Sequence, residues 1–435
     1  MTDFHEHPQH SDSRNEGRRG FHVRMGGRDA TEEHRASSPL ELLFDLVFVV
    51  AIAQSASMLH HGIVAHHTGQ ALVGFVIAFS AIWWAWMNYT WFASAYDDDT
   101  PAFRILTMVQ MVGVLALAAG VPGFFEGKFN AGIGGYVVMR LALCAQWVRA
   151  AHGHPAGYWA CMRYAVGIAT VQIGWLLFLW ATQSDVLAGG ALWAVFGLLW
   201  VGELSVPVWA ERASHTPWHA HHIAERYGLL VIIVLGEGIL GAANSVASIW
   251  AAMDWAWSFN VTLVGFGCML LVFCLWWMYF LVPSAEALHH HRERAFPWGY
   301  GHVVVFAALA AVGAGLEVVA DVLKVRLDAG AHAAAIAEGA TAHGVSATYA
   351  IGCVAVAEGL YVVALWGLYR FISRVQQQDW LLPLICLACI ALAPLAVSWG
   401  LPLAWGLLML SLGPIIAIFY HEHGRAHCTD AFAVQ

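Results

Sequence analysis

Charge is what this chain has least of. Only 11% of its 435 residues are Asp, Glu, Lys or Arg, against 60% hydrophobic, and the mean hydropathy is +0.62. That scarcity excludes a soluble core and predicts a polytopic membrane protein, for which no nucleic-acid partner is expected. Enzyme fingerprints are missing as well: there is no H-E-x-x-H, P-loop, G-x-S-x-G or dinucleotide motif. The chain is therefore not read as an enzyme, and no catalytic residue, metal ligand or cofactor is assigned. No disulfide framework is visible, because Cys144, Cys161, Cys268, Cys274, Cys353, Cys386 and Cys389 lie in or beside apolar runs. Cys386 and Cys389 have C-x-x-C spacing, but without His or charged neighbours. Residues 1–37 are polar and contain no apolar h-region. They read as a disordered cytoplasmic tail, with the first membrane helix acting as its own insertion signal.

What is abundant is apolar sequence of spanning length. Runs begin near Leu40, Gln70, Ala102, Ala131, Tyr158, Ala191, Ile223, Ser258, Trp298, Ser346, Trp380 and Leu401. The expected fold is all-α, a bundle of about twelve membrane helices. With that count, Arg104, Arg149, Arg163, Arg212, Arg226, Arg292, Arg294 and Arg370 fall on one side together with the arginines of the tail. Lys128, Lys324 and Arg326 fall on the other. The positive-inside rule then places both termini in the cytoplasm. A repeat is also expected. Glu41 opens the first helix and Trp83-Trp84 lies in the second; Glu225 opens the seventh and Trp276-Trp277 lies in the eighth. Six helices separate the copies, so the halves, 38–210 and 211–420, would share one orientation, followed by a tail at 421–435. The stretch from Asp321 to Val345 is the longest outer link, with room for an interfacial helix.

Three stretches resemble the bacterial low temperature requirement A (LtrA) family: Glu41-Leu-Leu-Phe-Asp-Leu-Val-Phe-Val, Trp83-Trp84-Ala-Trp86 running on to Tyr96-Asp97-Asp98-Asp99 and Arg104, and Glu225-Arg226-Tyr227-Gly228 running on to Leu235-Gly236-Glu237. The resemblance implies a multi-helix protein of the bacterial inner membrane, in a family named for a growth phenotype in the cold. Phe44-Asp45 followed by Phe48 also looks like the first helix of potassium channels bearing a Phe-Ser-Asp motif. Here the Ser is missing and Tyr227-Gly228-Leu229 stands where the second copy would be, so that likeness concerns fold rather than function.

The candidate residues are the ionisable ones inside apolar runs, which lipid does not tolerate unpaired. Ser38-Pro39-Leu40-Glu41 reads as a capping box, and Asp45 lies on the same helix face as Glu41, set for an ion pair with Arg104 or Arg226 or for transport. Glu237 falls about 18 Å beyond Glu225 along a helix, near mid-bilayer. Gly236 and Gly238 beside it permit close packing or a local break, and Gln54 lies at similar depth, where it could face Glu237. Arg140 needs an anion, and Glu203, Glu317, Asp321 and Glu358 are available. The Asp97-Asp98-Asp99 loop is read as capping and solubility, with divalent-cation binding as the alternative. Trp83, Trp84, Trp276 and Trp277 are read as packing or interfacial anchors, or as lining a cavity. The clusters His60-His61 with His66-His67, His215 to His222, His289-His290-His291 and His421-Glu422-His423 are placed in loops, as solvated or pH-responsive surfaces, with a zinc site as the alternative.

Three functions stand open. The first is a cation- or proton-handling channel or transporter using Asp45, Gln54, Glu237, Glu317, Glu203 and Glu358. The second is a non-transporting protein that senses or organises lipid. The third is an intramembrane enzyme on a lipid substrate, hooked on Asp97 to Asp99. Expected partners are the lipid bilayer, monovalent cations or protons, and a second copy of the chain.

Overall fold

A computed structural model describes residues 25–28, 32, 35–253, 255, 257–331, 344–373 and 380–432. Among the described residues the regular structure is entirely helical, and twelve stretches are long and apolar enough to cross a membrane. In chain order these are α1 (Pro39–Val64), α2 (Thr68–Tyr96), α3 (Pro101–Phe125), α4 (Asn130–Gly153), α5 (Tyr158–Gln183) and α6 (Gly189–Glu211). They continue with α7 (Ala220–Ala252), α8 (Phe259–Phe280), α9 (Ala295–Ala331), α10 (Ala347–Ser373), α11 (Leu381–Ser398) and α12, which is two pieces, Leu403–Leu410 and Leu412–Phe432. An even count returns the chain to the face from which it started. The face on which α1 begins and α12 ends is the tail face below; the opposite one is the far face.

Local sequence sets the helix starts. Ser38 caps α1: its Oγ accepts from the Glu41 N–H at 3.3 Å and the Glu41 carboxylate accepts from the Ser38 N–H at 2.8 Å. Pro39 occupies the first turn, where a missing N–H costs nothing. Thr100 and Pro101 start α3 in the same way. Along α1 the sorting of residues is plain. Leu42, Leu43, Leu46 and Val50 point outward, as a lipid-facing stripe would, while Glu41, Phe44, Asp45 and Phe48 point inward.

Glycines let α3 and α4 pack closely. A Cβ on Gly120 of α3 would come within 2.3 Å of the Gly132 backbone on α4, and one on Gly135 within 2.4 Å of the Leu117 backbone. Gly238 of α7 meets Gly313 of α9 in a looser version of the same contact. The interior is formed by α2 and α9, with α1 and α7 packed between them and their neighbours. In each half the third helix packs on the first and fourth: α3 on α1 and α4, α9 on α7 and α10.

Several expectations are corrected here. Part of the stretch expected to be a disordered tail is packed: Met25 and Arg35 are buried, the Arg28 N–H donates to the Ala95 carbonyl at 3.0 Å, and the Met25 backbone lies against Gly153. Helix α7 passes through Gly236-Glu237-Gly238 without a break. Helix α9 runs past Asp321 to Ala331, so the expected outer link starts later; the interfacial helix, with His332 and His343, would lie outside the described residues. Helix α12 continues beyond residue 420 to Phe432.

Candidate functional site

Two polar clusters occupy opposite ends of one seam, formed by α1, α7 and α9. At the tail-face end, Glu41 and Asp45 are four residues apart on α1, and His222 and Arg226 are four apart on α7, so both pairs project from single helix faces toward each other. The Arg226 guanidinium lies 2.5 Å from Asp45 Oδ1 and 3.1 Å from Glu41 Oε1. His222 Nε2 is 3.1 Å from the same Glu41 oxygen. The Trp86 indole N–H from α2 donates to Asp45 Oδ1 at 2.7 Å. All five side chains are buried. Of the two partners weighed for Asp45, Arg226 is the one; Arg104 instead holds Asp99 with two hydrogen bonds, of 2.8 and 2.9 Å.

Charge counting shows what this cluster must do. Two carboxylates touch one guanidinium, leaving one negative charge with only His222 in contact to offset it. An unbalanced charge in a buried site costs several kcal/mol, so the cluster favours holding a proton. The next shell supports it without touching it. Arg35 donates to the carbonyls of Ser94 and of Ala93, the latter at 2.8 Å, and burial lowers its pKa. Asp97 lies beyond, its pKa raised to about 6 by burial and by Glu41, against the pull of the Asp99 N–H, Arg35 and Arg28. Glu225 is peripheral, accepting from the Ser37 N–H at 3.2 Å.

Beside the cluster, at the depth of Arg226, the seam turns aromatic. Tyr227 meets the rings of Trp86, Trp298, His302 and Phe306 at centroid distances of 4.8 to 5.8 Å, and its hydroxyl accepts from the Trp91 N–H at 3.1 Å. At the far-face end lies the second cluster. His60 of α1 reaches Asp321 at 2.8 Å and Glu317 at 3.4 Å, both on α9. Glu317 lies over Gly241, where a Cβ would come within 2.4 Å of its Oε1, so a side chain there would push the carboxylate aside. Half-buried Glu237, one helical turn before Gly241, is within electrostatic reach of Glu317. Glu317 and Asp321 remain partly exposed. Gln54 is half-buried on α1, and among the described residues no hydrogen bond joins it to Glu237. From Asp45 to His60 the rise along α1 is about 22 Å, so the clusters are separated by about three quarters of a bilayer core, with Glu237 about 16 Å beyond Arg226 along α7.

Comparison with known proteins places this arrangement. A family model described as "Bacterial low temperature requirement A protein (LtrA)" matches residues 36–413. The chain belongs to the LtrA family. It is similar to an uncharacterized protein of Rhizobium meliloti (strain 1021), 24% identical over 66% of this chain and 70% of that protein. No solved structure matches it. The LtrA match contains both clusters and the seam between them.

The other candidates of this LtrA-family protein sit apart from that seam. Arg140 finds Glu203 at 2.8 Å, and Glu203 also accepts from Trp84 of α2 and from Gln172 and Trp175 of α5. These donors supply the carboxylate, while Arg140 Nε and Nη1 have no hydrogen-bond partner among the described residues. Asp98 pairs with Arg149 at 3.2 Å, and Asp97 accepts from the Asp99 N–H. Among the described residues no cluster of three or more His, Cys, Asp or Glu is placed to hold a metal ion. The Trp pairs differ: Trp83 and Trp84 are buried, whereas Trp276 and Trp277 are more than a third exposed, on the outside of the bundle. Glu358 is buried alone on α10. The histidines depart most from expectation. His60, His219 and His222, expected in solvated loops, are buried, and His219 caps α7 by accepting from the His222 N–H. The only advance signal for His60 was that Glu317 and Asp321 stand four apart on an apolar helix, a pair of acids in need of a cation.

Proposed function

We propose that this LtrA-family protein handles protons or monovalent cations along the α1–α7–α9 seam. The supporting observation is the charge imbalance of the buried tail-face cluster, joined by shared helices to a partly exposed acidic cluster on the far face. In this reading the far-face group of Glu237, Glu317, Asp321 and His60 collects the cation. The Tyr227 aromatic layer closes the seam at rest, and Asp45, Glu41 and His222 carry the exchangeable proton opposite Arg226. Occlusion between two half-sites is the form expected of a carrier or gated pathway, because an open polar conduit would leak.

Purified protein in liposomes, loaded with a pH-sensitive dye and given a potassium or sodium gradient, provides the test. Wild type should move protons or cations. Glu317→Gln and His222→Gln should each slow the movement at least tenfold, and Glu126→Gln, in the exposed Lys128 pair on the far face, should not. Silence of the wild type under proton, potassium and sodium gradients would sink the proposal. It would favour the lipid-organising reading, for which the outward-facing Trp276 and Trp277 are the specific support.

A further inference from the structure

A second site, sharing no residue with the seam, lies in the other part of the bundle. Glu358 of α10 is completely buried, and neither carboxylate oxygen has a hydrogen-bond partner. Its electrostatic neighbours are the thiols of Cys274 and Cys386, which supply no countercharge. Arg140, at similar depth on α4, is given Glu203; Glu358 is given nothing. A buried carboxylate left without donors is among the most costly arrangements a membrane interior can hold.

Two further features converge on the same depth. Helix α12 is interrupted at Ser411, whose buried hydroxyl also lacks a partner. Pro414 explains the interruption, since it has no N–H for the Leu410 carbonyl. The Cys386 thiol joins these parts, donating to the Gly413 carbonyl at 3.2 Å while lying beside Glu358. One turn toward the tail face begins a groove of about 410 Å³, lined by Val362, Trp366, Tyr369, Cys386 and Tyr420 among others. Val362 and Tyr369, which line the groove, follow Glu358 at helical spacing along α10, so Glu358 lies on the same helix face, buried one turn beyond the groove's inner end. The groove has the size of a small-molecule site, apolar and aromatic along its length. Arg370 and His421 are at its mouth, with Arg370 stacked over Trp366 and Trp380 at 5.2 and 5.1 Å.

We infer that this groove binds a hydrophobic organic cation, its ammonium group against Glu358 and Ser411 and its apolar body along the aromatic wall. The chemistry is selective at both ends. At the inner end both Glu358 oxygens are without donors and the Ser411 hydroxyl can accept as well as donate, a set that a positively charged N–H donor satisfies. The wall offers apolar and π surface, which favours a carbon body over a hydrated inorganic ion. A single carboxylate is too small a ligand set for a divalent metal.

The full-length protein in nanodiscs, dialysed to equilibrium against 4-phenylbutylammonium, should bind one equivalent saturably above the empty-nanodisc background. Neutral 4-phenylbutanol should bind at least tenfold more weakly. Glu358→Gln should abolish that preference, and Val362→Trp, which fills the passage and leaves the carboxylate in place, should abolish binding. Lowering the pH should weaken binding to wild type as protons compete for Glu358, and should leave Glu358→Gln unaffected. The inference is overturned if Glu358→Gln keeps the ammonium preference, or if methylammonium, sodium or potassium binds as tightly as the phenylbutyl compound. Unsaturable uptake by wild type overturns it equally.

Discussion

At the scale of single residues, the buried charges constrain one another more strongly than they stabilise the fold. Removing Asp45 leaves the Arg226 guanidinium and the Trp86 N–H without their shared acceptor, so Asp45→Ala should cost about 3–5 kcal/mol. Thermal melts in detergent will register the loss, and an Asp45→Ala/Arg226→Met double variant should lose less than the sum of the single changes. Asp97, outside the spans, offers a cleaner titration. Its folded pKa of about 6 lies above the ordinary aspartate value of 3.8, so the folded state binds the proton more readily. Stability should therefore fall as pH rises from about 4 to about 6, by up to about 3 kcal/mol, and the Asp97→Asn variant should lose that dependence. A melting temperature that rises over the same window would contradict the assignment.

At the scale of helices, glycine placement decides which substitutions are tolerated. Gly120 and Gly134 are both helical, and a propensity argument favours alanine at each by about 1 kcal/mol. Packing reverses this at Gly120, where a methyl would collide with the Gly132 backbone; nothing lies within 4 Å of a Cβ at Gly134. Gly120→Ala should thus lower the melting temperature and the folded yield, whereas Gly134→Ala should be neutral or slightly stabilising. Helix existence was legible in the sequence because spanning length and the caps at Ser38 and Thr100 are local properties. The continuity of α7 through Glu237 was not, since adjacent glycines allow a break without requiring one.

At the scale of the whole molecule, twelve helices of spanning length predict that both ends of the chain share a face. Reporter fusions at the two termini should give the same sidedness, and opposite signals would mean a miscounted span. The same parity puts the Glu41 cluster and the mouth of the Glu358 groove toward one face, and the His60 cluster toward the other. A blocking reagent added only from the face of the His60 cluster should therefore affect flux in proteoliposomes and leave amine binding unchanged.

Composition and periodicity by themselves determined the membrane class, the number and approximate ends of the spans, the Ser38 cap, and the requirement that Arg140 and Asp45 find partners. All of these follow from free energies that depend on neighbours a few residues away or on transfer into hydrocarbon. Tertiary structure alone decided who the partners are. Glu41 meets His222 across 181 residues of chain, His60 meets Asp321 across 261, and Glu358 meets no hydrogen-bond partner. A buried ion states in sequence that it must be compensated, but the identity of the compensating group depends on which helices become adjacent. That adjacency is set by the summed packing of small and aromatic side chains over the whole bundle, and no local pattern encodes it.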